Sequence, residues 1–183
     1  MQNIPNALTV LRILLIVPMT ALFFFETTAG GWVIWLNFGL YVIAAITDFL
    51  DGWLARKYKI TSPFGTFLDP ISDKILVGCL LVLLVAFGRL EGLWLIAVLA
   101  IMTREFLISG LREYLGPHNV KMPVTKLAKW KTATQMLALG LLIIGPVLPY
   151  TLLAGQILLC VAALITAITG WGYLKAGLAH MRA

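Results

Sequence analysis

Six apolar runs divide the chain: Leu8 to Phe25, Trp32 to Leu54, Ile71 to Phe87, Leu93 to Leu115, Trp130 to Leu148 and Leu152 to Leu174. Each approaches the roughly 20 apolar residues that a helix needs to cross the hydrocarbon core of a bilayer. The breaks between them carry turn chemistry: Thr28-Ala29-Gly30-Gly31, Ser62-Pro63-Phe64-Gly65, Gly88 to Gly92, Gly116-Pro117-His118-Asn119 and Pro146 to Pro149. No stretch alternates as a half-buried strand would, and no low-complexity linker or fixed-period repeat interrupts the pattern. The pattern predicts an all-α polytopic membrane protein with six transmembrane helices, forming one domain over residues 1–183. Pro18 is expected to kink the first helix, where neighbouring helices re-satisfy the freed carbonyl.

Composition agrees. Of 183 residues, 61% are hydrophobic and only 12% charged, against about a quarter charged in soluble domains. A surplus of 14 Lys and Arg over 8 Asp and Glu gives a net charge of +6. In a soluble chain that would raise nucleic acid as a partner; here the surplus is sorted by side. If all six runs cross, the termini and the loops after the second and fourth runs share one side, and of the cations only Arg89 falls opposite. The asymmetry predicts both termini in the cytoplasm and no nucleic-acid partner. Arg12 lies inside the first run and no A-x-A-like site follows, so that run reads as a span rather than a signal peptide. Cys79 and Cys160 sit in apolar runs without a CxxC or His companion and read as inert thiols.

Four of the eight acidic residues, Asp48, Asp51, Asp69 and Asp73, crowd around the second and third runs. A carboxylate at helix-centre depth costs about 2.5–3.5 kcal/mol on insertion scales, so something must compensate them. At about 100° per residue, Asp48, Asp51, Gly52, Ala55 and Arg56 share one stripe at the end of the second helix. Asp69 followed by Pro70 reads as an N-cap with proline at the first helical position, and Asp73 lies one turn further on the same face. Oxygen ligands without His or Cys suit Mg²⁺ or Mn²⁺ rather than zinc, and four carboxylates suffice for two ions sharing ligands. The competing reading pairs the acids with Arg56, Lys57, Lys59 and Lys74 as interfacial salt bridges.

A second polar group lies in the fourth run, Thr103-Arg104-Glu105-Phe106-Leu107-Ile108-Ser109-Gly110-Leu111-Arg112-Glu113. Glu105, Ser109 and Arg112 fall within about 60° of one another on a helix, with Arg104 and Glu113 flanking them. Lys121, Lys126, Lys129, Lys131 and Thr132 follow from the same side. Such a cationic cluster suits a substrate that carries its own phosphate; anchoring to anionic lipid is the alternative.

The run Asp48-x-x-Asp51-Gly52-x-x-Ala55-Arg56, eight residues, Gly65-x-x-x-Asp69-x-x-x-Asp73 resembles the full signature of the CDP-alcohol phosphatidyltransferase family. The resemblance implies a six-helix membrane enzyme, generally homodimeric, that displaces CMP from a CDP-linked substrate with divalent metal. It implies Asp48, Asp51 and Asp69 as metal ligands, Asp73 as ligand and general base, and Asp48, Gly52, Ala55, Arg56 and Gly65 around the nucleotide. The run Arg104-Glu105-x-x-x-Ser109-x-x-Arg112-Glu113 is similar to the bacterial branch of the family that forms phosphatidylglycerol phosphate, as is Asn3-Ile4-Pro5-Asn6-x-Leu8-Thr9-x-x-Arg12. That likeness implies CDP-diacylglycerol and sn-glycerol 3-phosphate as substrates at a bacterial cytoplasmic membrane. It also implies Arg104, Glu105, Arg112, Lys129, Lys131 and Thr132 at the glycerol phosphate. Where the branch commonly has glycine, this chain has Ala128, which leaves that loop's backbone contact open.

Other readings stay open from sequence. The same core could serve inositol phosphate, serine or phosphatidylglycerol. A divalent-cation transporter would spread acids through membrane depth, whereas here they gather at one helix end. A purely structural membrane protein leaves the four clustered carboxylates unexplained.

Overall fold

The computed structural model describes residues 3–58, 63–116 and 126–181. The described residues form six helices and no strand: α1 (Asn3–Ala29), α2 (Gly31–Tyr58), α3 (Pro63–Ala86), α4 (Trp94–Leu115), α5 (Lys126–Ile144) and α6 (Thr151–Met181). Four stretches are long and apolar enough to cross a membrane: Asn6–Ala29, Gly31–Trp53, Trp94–Leu115 and Thr151–Lys175. The other two helices are apolar over a shorter length, because α3 opens with Asp69, Asp73 and Lys74 and the apolar part of α5 is confined to Trp130–Ile144. The chain is therefore an all-α, multi-pass membrane protein. Large apolar side chains such as Val17, Phe24, Ile96, Leu99 and Ile168 are exposed, as lipid-facing positions should be.

The chain divides into two compact units, Met1–Arg89 with Gly140–Leu152, and Leu90–Leu139 with Leu153–Ala183. In the first, α1 packs against α2 and α3 over buried Met19, Phe23, Val33, Ala44, Leu76, Leu80 and Leu84. Gly30 alone links α1 to α2 at φ +87°, a left-handed conformation that glycine adopts without a Cβ clash. The α3 helix begins at Pro63, not at Pro70 as the Asp69-Pro70 pair predicts. Pro63 already supplies the favoured N-terminal proline, and Pro70 withholds one backbone N–H inside the helix, where Ser72 Oγ donates to the Asp69 carbonyl at 2.9 Å. The i, i+4 spacing of Asp69 and Asp73 is unaffected by the earlier start.

The far end of α3 closes with a Schellman motif. Gly88 sits at φ +70°, its N–H donates to Val85 O (3.1 Å), and the Arg89 N–H donates to Leu84 O (2.9 Å). The turn delivers Arg89 into the core, where Nη1 donates to the carbonyls of Leu142 (3.0 Å) and Ile143 (2.7 Å) and Nη2 pairs with Glu26 of α1. Its guanidinium also lies 5.0 Å from the centre of the Phe23 ring. Burial lowers the Arg89 pKa from its usual value, opposed by the Glu26 carboxylate beside it.

In the second unit, Ile108, Leu111 and Leu115 of α4 cluster with Tyr173 of α6. Two glycines one heptad apart permit this approach. A Cβ at Gly170 would lie 2.7 Å from Arg104 Cγ, and one at Gly177 would lie 2.8 Å from both Leu111 Cδ atoms. Small residues at such crossings let helices approach closely in lipid.

Candidate active site

The carboxylate group is assembled by α1. Thr9 and Arg12 lie three residues apart and so project from one face of that helix. Arg12 Nη1 lies 2.8 Å from Asp48 Oδ1 of α2, and donates to Asp73 Oδ1 (2.6 Å) and Ser72 Oγ (3.0 Å) of α3. Its Nη2 pairs with Asp51 of α2. Thr9 Oγ1 lies 2.8 Å from Asp69 Oδ1 and 3.4 Å from Asp51 Oδ2. All four predicted aspartates thus meet, on two partners from a third helix.

The cluster has a buried floor and an open rim. The side chains of Arg12 and Asp51 are 1% and 9% exposed, whereas those of Asp48 and Asp73 are 38% and 55% exposed. Asp69 is exposed as well. A buried guanidinium is tolerable because charged acceptors surround it, and the rim carboxylates keep surface free for a ligand. Their donor set is all oxygen, which fits a hard divalent cation. Among the described residues, no three carboxylate, imidazole or thiol groups stand about one point closely enough to hold a metal. Asp48, Asp51 and Asp73 instead turn oxygens to the Arg12 guanidinium.

Of the residues expected around the nucleotide, Gly52 is half-buried beside Asp51, and Gly65 is buried one turn before Asp69. The side chains of Ala55 and Arg56 lie outside the described residues. An open groove of about 450 Å³ in the same unit is lined by Asn6, Ala7, Val10, Leu11 and Leu14 of α1 and Phe64 of α3.

The second unit carries the other predicted group. Glu105 accepts from Arg104 Nη1 at 3.1 Å and from Lys131 Nζ, so these three residues come together. Lys131 is buried, while Arg112 and Thr132 are exposed. The guanidinium carbons of Arg104 and Arg112 lie 5.7 and 5.4 Å from the centre of the Tyr173 ring, within cation–π range. Ser109 donates to the Glu105 carbonyl at 2.6 Å, closing a bond within its own helix. The side chains of Lys129 and Ala128 lie outside the described residues.

Sequence reasoning did not place Thr9 and Arg12 in the carboxylate cluster, nor Gly170 and Tyr173 beside the cationic group. Arg12 carried a signal, a lone cation inside an apolar run. Tyr173 carried none, because aromatic residues are common in membrane helices.

A family model described as CDP-alcohol phosphatidyltransferase matches residues 2–168. A protein from Rickettsia typhi named CDP-diacylglycerol--glycerol-3-phosphate 3-phosphatidyltransferase is 44% identical over 179 residues, covering 96% of this chain and 97% of its own. One of the same name from Pseudomonas fluorescens is 38% identical, covering 99% and 93%. A rice protein named cardiolipin synthase (CMP-forming) is 39% identical over 153 residues, which is 77% of this chain and 45% of its own.

Proposed function

The chain belongs to the CDP-alcohol phosphatidyltransferase family, and from that premise we propose that it transfers the phosphatidyl group of CDP-diacylglycerol to sn-glycerol 3-phosphate. A glycerol hydroxyl attacks the phosphorus that bears the diacylglycerol. The bond from that phosphorus to the bridging oxygen breaks, and phosphatidylglycerol phosphate and CMP are formed. The observation that carries this reading is the meeting of Asp48, Asp51, Asp69 and Asp73, from two helices, in a chain whose bacterial relatives bear that enzyme's name.

Asp48, Asp51, Asp69 and Asp73 would hold Mg²⁺ or Mn²⁺, two ions if ligands are shared. Bound there, the metal would neutralise pyrophosphate charge as entering and leaving oxygens exchange. Asp73 is the candidate base. Arg12 holds one of its oxygens while the side chain stays exposed, which leaves room for an attacking hydroxyl. Gly52, Ala55, Arg56 and Gly65, with Asp48, would flank the nucleotide, small residues admitting it close to the backbone and Arg56 gripping phosphate. The groove along α1 would accept an acyl chain, its lining being mainly apolar.

Arg104, Arg112, Lys129, Lys131 and Thr132 would bind the phosphate of glycerol 3-phosphate. Glu105 is better placed to orient Arg104 and Lys131 than to touch an anion, because it accepts from both. Six crossings, with both termini and the active site facing the cytoplasm of a bacterial inner membrane, accord with the distribution of Lys and Arg. Assembly as a homodimer rests on the family resemblance.

Purified protein given CDP-diacylglycerol with each of glycerol 3-phosphate, inositol phosphate, serine and phosphatidylglycerol tests the acceptor. CMP release is expected with glycerol 3-phosphate and to require added Mg²⁺ or Mn²⁺. Release only with phosphatidylglycerol would favour a second reading, which the rice relative's name supports. Asp73→Asn should lower turnover by about 10³-fold while nucleotide binding persists, a loss within the range attributed to general-base catalysis. Near-normal turnover would remove the base assignment.

A further inference from the structure

We propose that Arg12 is the resident counter-cation of the carboxylate site, a positioning residue that holds Asp48, Asp51 and Asp73 together without metal and competes with a divalent cation for them. The inference rests on the metal reading given above and goes beyond it.

Three observations carry it. The guanidinium occupies the position among the aspartates where a cation is wanted, touching one carboxylate oxygen each of Asp48, Asp51 and Asp73. It reaches them from α1, a helix separate from the two that carry the acids, so its guanidinium can give way to a divalent cation without either of those helices having to move. Ser72 Oγ, 3.0 Å from Nη1, offers a neutral acceptor to which the guanidinium keeps a bond when the carboxylates are taken. The Arg12 Nε is buried without a hydrogen-bond partner, so the contacts to the acids come from the terminal nitrogens and no bond at the neck of the fork opposes a swing. Thr9 has the same double arrangement on a smaller scale, bridging Asp69 and Asp51.

The sign of the effect follows from charge. A guanidinium and a divalent cation repel each other strongly in a partly desolvated site, so occupancy by one disfavours the other. Removing the positive charge leaves four aspartates facing one another, which raises the free energy of the metal-free state and so strengthens metal binding.

The experiment is a titration of the full-length protein in detergent with Mn²⁺ at fixed ionic strength, following free Mn²⁺ by electron paramagnetic resonance. Arg12→Gln is expected to bind Mn²⁺ at least about tenfold more tightly than wild type, and its unfolding temperature should rise further on adding Mn²⁺. Arg12→Lys keeps the positive charge that repels the metal, although not the fork, and should bind within about threefold of wild type. Equal or weaker binding by Arg12→Gln overturns the proposal, because Arg12 would then belong to the metal-loaded arrangement. Should Arg12→Gln fail to fold, Arg12→Lys decides: Kd within the threefold range upholds the proposal, and any larger change overturns it. A wild-type protein that takes up no Mn²⁺ would instead sink the metal reading, which the same titration reports separately.

Discussion

Asp51 and Asp73 carry the same functional group and contact the same guanidinium, but their surroundings assign them different duties. Asp51 is nearly enclosed and accepts from both Arg12 and Thr9, whereas Asp73 stands more than half exposed. Asp51→Asn leaves a buried guanidinium with one fewer charged partner. It should cost about 1–3 kcal/mol, less than breaking an isolated buried pair because Asp48 and Asp73 remain. Asp73→Asn should leave the unfolding temperature nearly unchanged while lowering CMP release by about 10³-fold. Thermal unfolding beside a turnover assay checks both, and equal destabilisation by the two substitutions would contradict the division into floor and rim. The four acids were legible from spacing alone, since helical periodicity fixes which residues share a face. The pairing of Arg12 with them was not, because α1 meets α2 and α3 through tertiary packing that no local spacing encodes. The cation that pairs with Asp48, Asp51 and Asp73 instead lies 36 residues before Asp48, the first of them.

Helices here are positioned at their ends and at their glycines. The Schellman turn after α3 places Arg89 against Glu26 and against the carbonyls that close α5. Because both charges are buried, Glu26→Ala or Arg89→Ala should cost about 3 kcal/mol, and the double substitution less than the sum of the two. Thermal unfolding of the three variants tests the coupling, and simple additivity would refute it. On α6, Gly170 gives room to the Arg104 side chain, and a methyl group there would press on Arg104 Cγ. If Arg104 binds glycerol 3-phosphate, Gly170→Ala should raise the KM for that substrate about tenfold, as expected for displacing one phosphate-binding group, and leave the KM for CDP-diacylglycerol unaltered. A parallel rise in both KM values would mean that the helix pair had been disturbed generally. The helices themselves follow from the apolar runs, and Gly30 and Gly88 mark the predicted breaks. The start of α3 was misread because Asp69-Pro70 has the form of an N-terminus, although Pro63 and the residues between extend the helix in advance of it.

At the scale of the whole chain, the scarcity of charge gives each charged group weight. Arg89 is the one cation that the six-run pattern sets apart from the rest, and it is buried in an ion pair, so it contributes little to orientation. The remaining lysines and arginines, many of them near the end of α2, in α4 and at the start of α5, are what the positive-inside asymmetry counts. Four described stretches are long and apolar enough to cross on their own, while the charged opening of α3 and the short apolar part of α5 would make any crossing by those two helices dependent on their neighbours. The orientation is therefore open to a direct test on positions at opposite helix ends. Glu91, exposed between α3 and α4, should face away from the cytoplasm, and Lys57, exposed near the end of α2, should face into it. With Cys79 and Cys160 replaced by alanine, a membrane-impermeant maleimide added to intact cells should label Glu91→Cys and spare Lys57→Cys, and permeabilised cells should label both. The opposite pattern would place the carboxylate rim outside, away from any cytoplasmic supply of a phosphorylated acceptor. Labelling of both in intact cells would mean that an even number of crossings separates the two positions, and would remove α3 as a span.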